Sequence, residues 1–205
     1  YGAIEFYEEC KKQGIKPILG CEVYVTTGSH LERNNRGLYH LILLAENLEG
    51  YHNIMKMVSL AQLEGFYYKP RVDKDILRAH SKGVICLSAC IAGELPVFIL
   101  QDNLDGARRC LEEYLEIFGK DNYFLEIQNH DLDEEHKVNK VLKQLAKEYG
   151  LGLVATNDLH YVRRQDAEAQ DVLLCLQTGS TVDEPNRMRF PNDQFYLKSY
   201  KEMAE

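Results

Sequence analysis

Short apolar runs alternate with stretches of helical period along most of this chain. Ala3, Ile4, Phe6 and Tyr7, interleaved with acids, predict a helix over 1–13 that Gly14 stops. A strand is expected over 15–25, a polar loop over 26–37 and a near-continuous apolar strand over 39–45. Ile54, Met55, Val58 and Leu60 predict a helix over 48–63. An aromatic loop over 65–70, a short helix over 73–80 and a strand over 83–88 follow. Then come a helix over 102–118, a strand over 122–128 and a helix over 132–149 closed by Gly150. A helix over 165–177, a polar linker over 186–192 and a short strand over 195–197 complete the pattern. Ser199 and Glu202 read as the capping box of a last helix. Strand and helix thus alternate, which predicts an α/β fold with a mostly parallel sheet.

The run Leu153-Val-Ala-Thr-Asn-Asp-Leu-His160, between Gly152 and Arg163-Arg164, reads as a buried strand. Positions two apart on a strand face the same side. Asp158 and His160 are therefore expected to point together at its C-terminal end, where α/β proteins keep their chemistry. Other predicted strands also carry metal-capable residues near one end: Glu22, His40 and Cys90. Carboxylate, imidazole and thiolate are the donor set of zinc and related ions. Taken singly, each has a plainer role: a solvated strand end for Glu22, a hydrogen-bonded core histidine for His40, a small buried hydrophobe for Cys90. Their coincidence near strand ends favours the metal reading. Glu126 and His130 can reach the same mouth and are candidates for supporting such ligands.

Composition narrows the picture further. The 205 residues are 45% apolar and 27% charged, as in ordinary soluble globular proteins. The absence of any apolar run of about 18 residues argues against a membrane span. The acids among residues 1–12 are unlike a signal peptide. The net charge of −8 argues against broad non-specific nucleic-acid binding, although acids that hold metal ions count in that total. Six cysteines without a C-x-x-C pair predict free thiols and a cytoplasmic location. Tyr67, Tyr68, Lys69 and Arg71 form an aromatic-basic cluster suited to stacking a base and holding a phosphate, or to packing a loop onto a barrel rim. Arg163-Arg164 and Arg187-x-Arg189 suit phosphates, an acidic partner or plain solvation.

Five segments occur in a telling order: Gly20-Cys-Glu22-Val-Tyr-Val, Tyr39-His-Leu-Ile-Leu-Leu-Ala-Glu-Asn-Leu-Glu-Gly50, Gly65-Phe-Tyr-Tyr-Lys-Pro-Arg71, Ser88-Ala-Cys90-Ile-Ala-Gly-Glu94 and Ala155-Thr-Asn-Asp-Leu-His-Tyr161. As a set they resemble the PHP (polymerase and histidinol phosphatase) domain of bacterial DNA polymerase III alpha subunits, over essentially the whole chain. The resemblance implies a distorted (β/α)7 TIM-like barrel with up to three divalent ions (zinc, manganese or iron) at its C-terminal mouth. It implies that the residue at Glu22 bridges two ions and that His40 and Cys90 complete the shell of one. Asp158 would join a second ion and His160 a third, with metal-activated water rather than a side chain as nucleophile.

The family's His-x-His strand, the Asp after it and its Thr-Asp-His-Gly strand end fall before the position matching Tyr1. The resemblance therefore implies an N-terminally truncated domain that lacks its first strands and four ligands. One partial site, Glu22 with His40 and Cys90, would remain. An open barrel side prone to association and little or no nuclease activity for these residues alone would follow. The expected organisation is a barrel over 1–182, then a linker and the start of a polymerase region over 183–205. The implied function is a metal-dependent 3′–5′ exonuclease or phosphoesterase domain within a DNA-directed DNA polymerase, with a proofreading role. Its implied partners are DNA, the other domains of the same chain and replisome subunits. The alternatives are a non-catalytic scaffold domain and a stand-alone phosphoesterase of the histidinol phosphatase type.

Overall fold

The computed structural model describes residues 2–34 and 37–204; Tyr1 of the predicted first helix and Asn35 of the predicted loop lie outside them. The chain opens with α1 (Ala3–Lys12), which Gly14 ends at φ +71°. Then come β1 (Gly20–Thr26), β2 (Leu38–Ala45), α2 (Leu48–Leu63), β3 (Arg71–Val72), α3 (Lys74–Ala79) and β4 (Val84–Leu87). The second half holds α4 (Glu94–Leu100), α5 (Leu104–Phe118), β5 (Tyr123–Ile127), α6 (Asp133–Tyr149), β6 (Leu153–Ala155), α7 (Ala167–Thr178) and α8 (Tyr200–Ala204).

The six strands form one sheet in the order β3-β1-β2-β4-β5-β6. Strand β2 runs antiparallel to both neighbours, while β1–β3, β4–β5 and β5–β6 are parallel. The sheet is thus mostly parallel, as expected, with β2 alone reversed. The reason is the segment between β1 and β2: its described residues form no helix, and a parallel pair needs a crossover. Among the described residues the sheet stays open, with β3 and β6 at its edges. This is an α/β architecture compatible with an incomplete barrel.

Strand alternation divides the sheet into two faces. Register places Leu43 opposite Cys86 and Cys86 opposite Tyr123 on the first face. These residues pack with Met57 of α2, Leu111 of α5 and Leu142 of α6 into the main core, all fully buried. Each large side chain so buried contributes on the order of 1.5–3 kcal/mol. Helix α2 starts where Asn47 caps it, its side chain accepting from Gly50 N–H at 3.0 Å. Gly50 also sets how closely α2 approaches β4: a Cβ there would fall 1.6 Å from the Gly83 carbonyl oxygen. Acids Asp133, Glu134 and Glu135 open α6, where they complement the helix dipole.

Several expected elements differ. Strand β1 starts only at Gly20, because Pro17 offers no N–H and fixes its own φ. Strand β3 and helix α4 were not expected; Pro96 lies in the first turn of α4, where its missing N–H costs nothing. The strand expected over 153–160 is three residues long, with Leu153 exposed at the sheet edge. The strand expected over 195–197 is reduced to one bridge, between Tyr161 and Tyr196. The capping box is present: Glu202 accepts from Ser199 N–H at 2.8 Å and from its hydroxyl at 2.6 Å. All six cysteines are free thiols. Among the described residues no helix is long and apolar enough to cross a membrane.

Candidate functional site

The second face of the sheet carries the chemistry. Tyr24 lies opposite His40, and Glu22 opposite Ile42. Ile42 lies opposite Leu87, Leu87 opposite Phe124, and Glu126 opposite Val154. Alternation then puts Glu22, His40 and Glu126 on one side, away from the main core. Cys90 follows β4 on a turn stitched to β2 by the His40 N–H, which donates to the Ala92 carbonyl at 3.1 Å. Ala89 at φ +64° and Gly93, whose Cβ would lie 2.3 Å from the Ser88 carbonyl oxygen, make that turn tight. A left-handed alanine costs about 1–2 kcal/mol and persists only where its surroundings fix it.

Three side chains meet as a result. Glu22 Oε1 lies 2.9 Å and Cys90 Sγ 3.5 Å from His40 Nδ1. The hydrogen bonds with Cys90 and then Glu22, against the effect of burial, push the His40 pKa up to about 10. Asp158 and His160 form a second pair, Oδ1 to Nε2 at 3.4 Å. They do not meet as strand neighbours: Asp158 has φ +40°, so the chain has left β6 and both lie on a loop. Burial raises the Asp158 pKa, but the His160 hydrogen bond and the charges of His160, His130 and His40 bring it below its ordinary value. His160 is raised by its bond with Asp158, opposed by burial, and further by the charges of Asp158 and Glu22. The two groups therefore share one electrostatic environment.

Donor type fits a divalent ion, since carboxylate, imidazole and thiolate converge at one ring nitrogen. The donors touch one another, however. Among the described residues no three His, Cys, Asp or Glu side chains surround a point that an ion would fill.

Glu126, on the same face of the sheet as Glu22 and His40, is 5% exposed. Its Oε1 accepts from Gln128 Nε2 at 3.1 Å and from the Thr156 hydroxyl. Its Oε2 has no hydrogen-bond partner among the described residues. Burial raises its pKa by more than the hydrogen bonds from Thr156, Gln128 and the Ala89 N–H lower it, and the Asp158 charge adds to the rise. A carboxylate raised on folding stabilises the fold below its ordinary range, and that contribution is lost as pH rises through the folded value. Glu126→Gln in metal-free protein is thus expected to gain ~1 kcal/mol near pH 8 and nothing near pH 4. Urea denaturation at both pH values checks this; a pH-independent difference would refute it.

His130, 1% exposed, pairs its Nδ1 with Glu135 Oε1 at 2.5 Å, and its Nε2 lies 2.9 Å from the Asn157 carbonyl oxygen. It buttresses the Asp158 loop rather than opening onto the pocket. Of the four candidates for nucleic-acid contact, Tyr68 and Lys69 are exposed and Tyr67 is half-buried. Arg71 is corrected: it is fully buried and its guanidinium is taken up by loop carbonyls. Arg164 and Arg187 pair with Asp193 and Asp171. Phe190 and Phe195 pack beside the His160 ring and Tyr196 beside Tyr161; the sequence did not mark them as part of the site because an irregular segment has no period to reveal a buried face.

The chain is similar to the DNA polymerase III subunit alpha of Thermus aquaticus, at 52% identity over 99% of this chain and 17% of that protein. It is 48% identical to that of Treponema pallidum (strain Nichols), over 100% of this chain and 18% of the relative. The Deinococcus radiodurans subunit is 44% identical over 99% of this chain and 16% of its own length. This chain thus spans less than a fifth of these relatives. The PHP domain model matches residues 1–130, which hold Glu22, His40 and Cys90, while Asp158 and His160 lie beyond the match. A match over more than half of the sequence, on the strands that carry those three side chains, means that the chain belongs to the PHP domain family.

Proposed function

We propose that this chain is the metal-dependent phosphoesterase domain of a bacterial replicative DNA polymerase III alpha subunit, acting as a 3′–5′ exonuclease in the intact parent. The observation that carries this is the convergence of Glu22 and Cys90 on His40 Nδ1, with Asp158 and His160 in the same electrostatic environment. Family membership and similarity to polymerase III alpha subunits support it. The proposed ligands are Glu22, His40 and Cys90 for one ion, with Asp158 and His160 contributing to others. Zinc, manganese and iron all suit the donors. A bound divalent ion would polarise a phosphoryl oxygen and lower the pKa of water. The protein's part is to orient: Glu22 and Cys90 fix the His40 ring, Asp158 fixes His160, and buried Glu126 and His130 hold the surrounding loops. Exposed Tyr68 and Lys69 are proposed to contact the nucleic acid. In this reading the partners are DNA, the other domains of the parent and replisome subunits, and the compartment is the cytoplasm. The domain extends over 1–182, with 183–205 leading into the polymerase.

One observation favours a scaffold role as the second reading: among the described residues, no three donors surround a common point. Metal analysis of the full-length polymerase separates the two. The exonuclease reading expects bound divalent metal and chelator-sensitive release of mononucleotides from a mismatched 3′ end. A metal-free polymerase whose terminal nucleotide release ignores chelators would overturn it and leave the scaffold.

A further inference from the structure

The segment between α7 and α8 contains no helix or strand, yet its residues 190–197 are fastened to the Asp158–His160 loop and its surroundings. The His160 and Tyr161 N–H groups both donate to the Phe195 carbonyl oxygen, at 2.9 and 3.3 Å. The Asn157 side-chain amide donates to the carbonyls of Gln194 and Tyr196, at 2.9 and 2.7 Å. The Phe195 ring, 6% exposed, stacks on buried His130 at 4.1 Å between centroids and 12° between planes. Phe190 closes over the other side, 4.6 Å from the His160 ring. Asn192 donates to the His130 carbonyl at 2.6 Å, and Arg164 grips Asp193 through two bonds of 2.7 and 2.9 Å.

This density of contact is unlike a linker. Irregular segments ordinarily stay near the surface with their backbone groups in water. Here the backbone carbonyls of residues 194–196 are spent on the loop that carries two candidate ligands. The loop itself cannot supply the fixation, since Asp158 has φ +40° and the ladder of β6 has ended. Ligand loops depend on neighbours that hold them, and losing such neighbours weakens metal binding.

We propose that residues 190–197 are a strap that positions the Asp158–His160 loop, with Phe195 of the strap and Asn157 of the loop as the positioning residues. Its effect on metal affinity rests on the phosphoesterase reading; its effect on the loop does not. Tyr196 of the strap donates its hydroxyl to Glu202 of α8 at 2.5 Å, which ties the strap to that helix.

The test is amide hydrogen exchange on the 205-residue chain without metal. Phe195→Ala is expected to accelerate exchange at His160 and Tyr161 on the order of 10- to 100-fold, with Leu41 and Leu43 of β2 unchanged. Asn157→Ala, which keeps the ring stack, is expected to act the same way and serves alone if Phe195→Ala does not fold. Wild-type exchange at His160 and Tyr161 in a folded variant would overturn the strap. Zinc titration of the same substitutions in the full-length polymerase separates the two readings. Faster exchange with weaker zinc binding supports both. Faster exchange with unchanged zinc binding keeps the strap and removes Asp158 and His160 from the ligands.

Discussion

Arg71→Ala is expected to destabilise the protein by about 3–5 kcal/mol, the range for leaving buried polar groups unpaired beside a cavity. Arg71 is fully buried. Its Nε donates to the Gly65 carbonyl at 2.9 Å, and its Nη2 donates to the carbonyls of His30 and Glu32, both at 2.7 Å. The guanidinium also lies 5.2 Å from the Tyr67 ring centre. One side chain therefore ties together the loop after β1 and the loop after α2. Alanine leaves the carbonyls of residues 30, 32 and 65 without the guanidinium that joins them. In a chain of this size the loss corresponds to a melting point lower by roughly 10 °C. Arg71→Lys is expected to recover little, because an ammonium cannot reproduce the planar fork. Lys69→Ala, on the outer side of the same loop, is expected to stay within about 0.5 kcal/mol. Urea denaturation of the three variants decides; a loss below about 1 kcal/mol for Arg71→Ala would contradict the structural role.

That burial was not legible in the sequence, and the reason is general. Arg71 sits in an aromatic-basic run that locally resembles a nucleic-acid contact. What buries it is a set of carbonyls at residues 30, 32 and 65, supplied by distant parts of the chain. By contrast, the bounds of α2 were legible from its helical period, although the residue it buries fully is Met57 and Met55 is exposed. Strands β2, β4 and β5 were legible as apolar runs because helices cover their first face. The direction of β2 had a signal that went unused: a polar connection without helical period admits only an antiparallel return.

The pocket divides in the same way. Glu22, His40 and Cys90 lie at or just past strands, so strand reading together with the family resemblance brought them close, and the structure puts them in contact. The pairing of Asp158 with His160 came from assuming a strand that stops at Ala155. Their proximity comes instead from a positive φ and from the strap, neither of which leaves a periodic trace.

His40 is the hub of the first group, and the second large effect is expected there. Both short contacts of the group end on its Nδ1, so removing the ring removes a donor and the element that orients the other two. His40→Ala is expected to weaken divalent-cation binding about 100-fold or more, at or beyond the upper end of losses from supporting residues. The fold should survive, because the His40 side chain is 30% exposed and the main core lies on the other face of the sheet. Cys90→Ser is expected to behave differently. It exchanges a soft donor for a hard one, which weakens zinc far more than manganese. Equilibrium dialysis with each ion, beside a thermal melt, reads both variants. Zinc affinity unchanged in folded His40→Ala would place the ion elsewhere in the chain. Equal losses of zinc and manganese in Cys90→Ser would take the thiolate out of the ligand set.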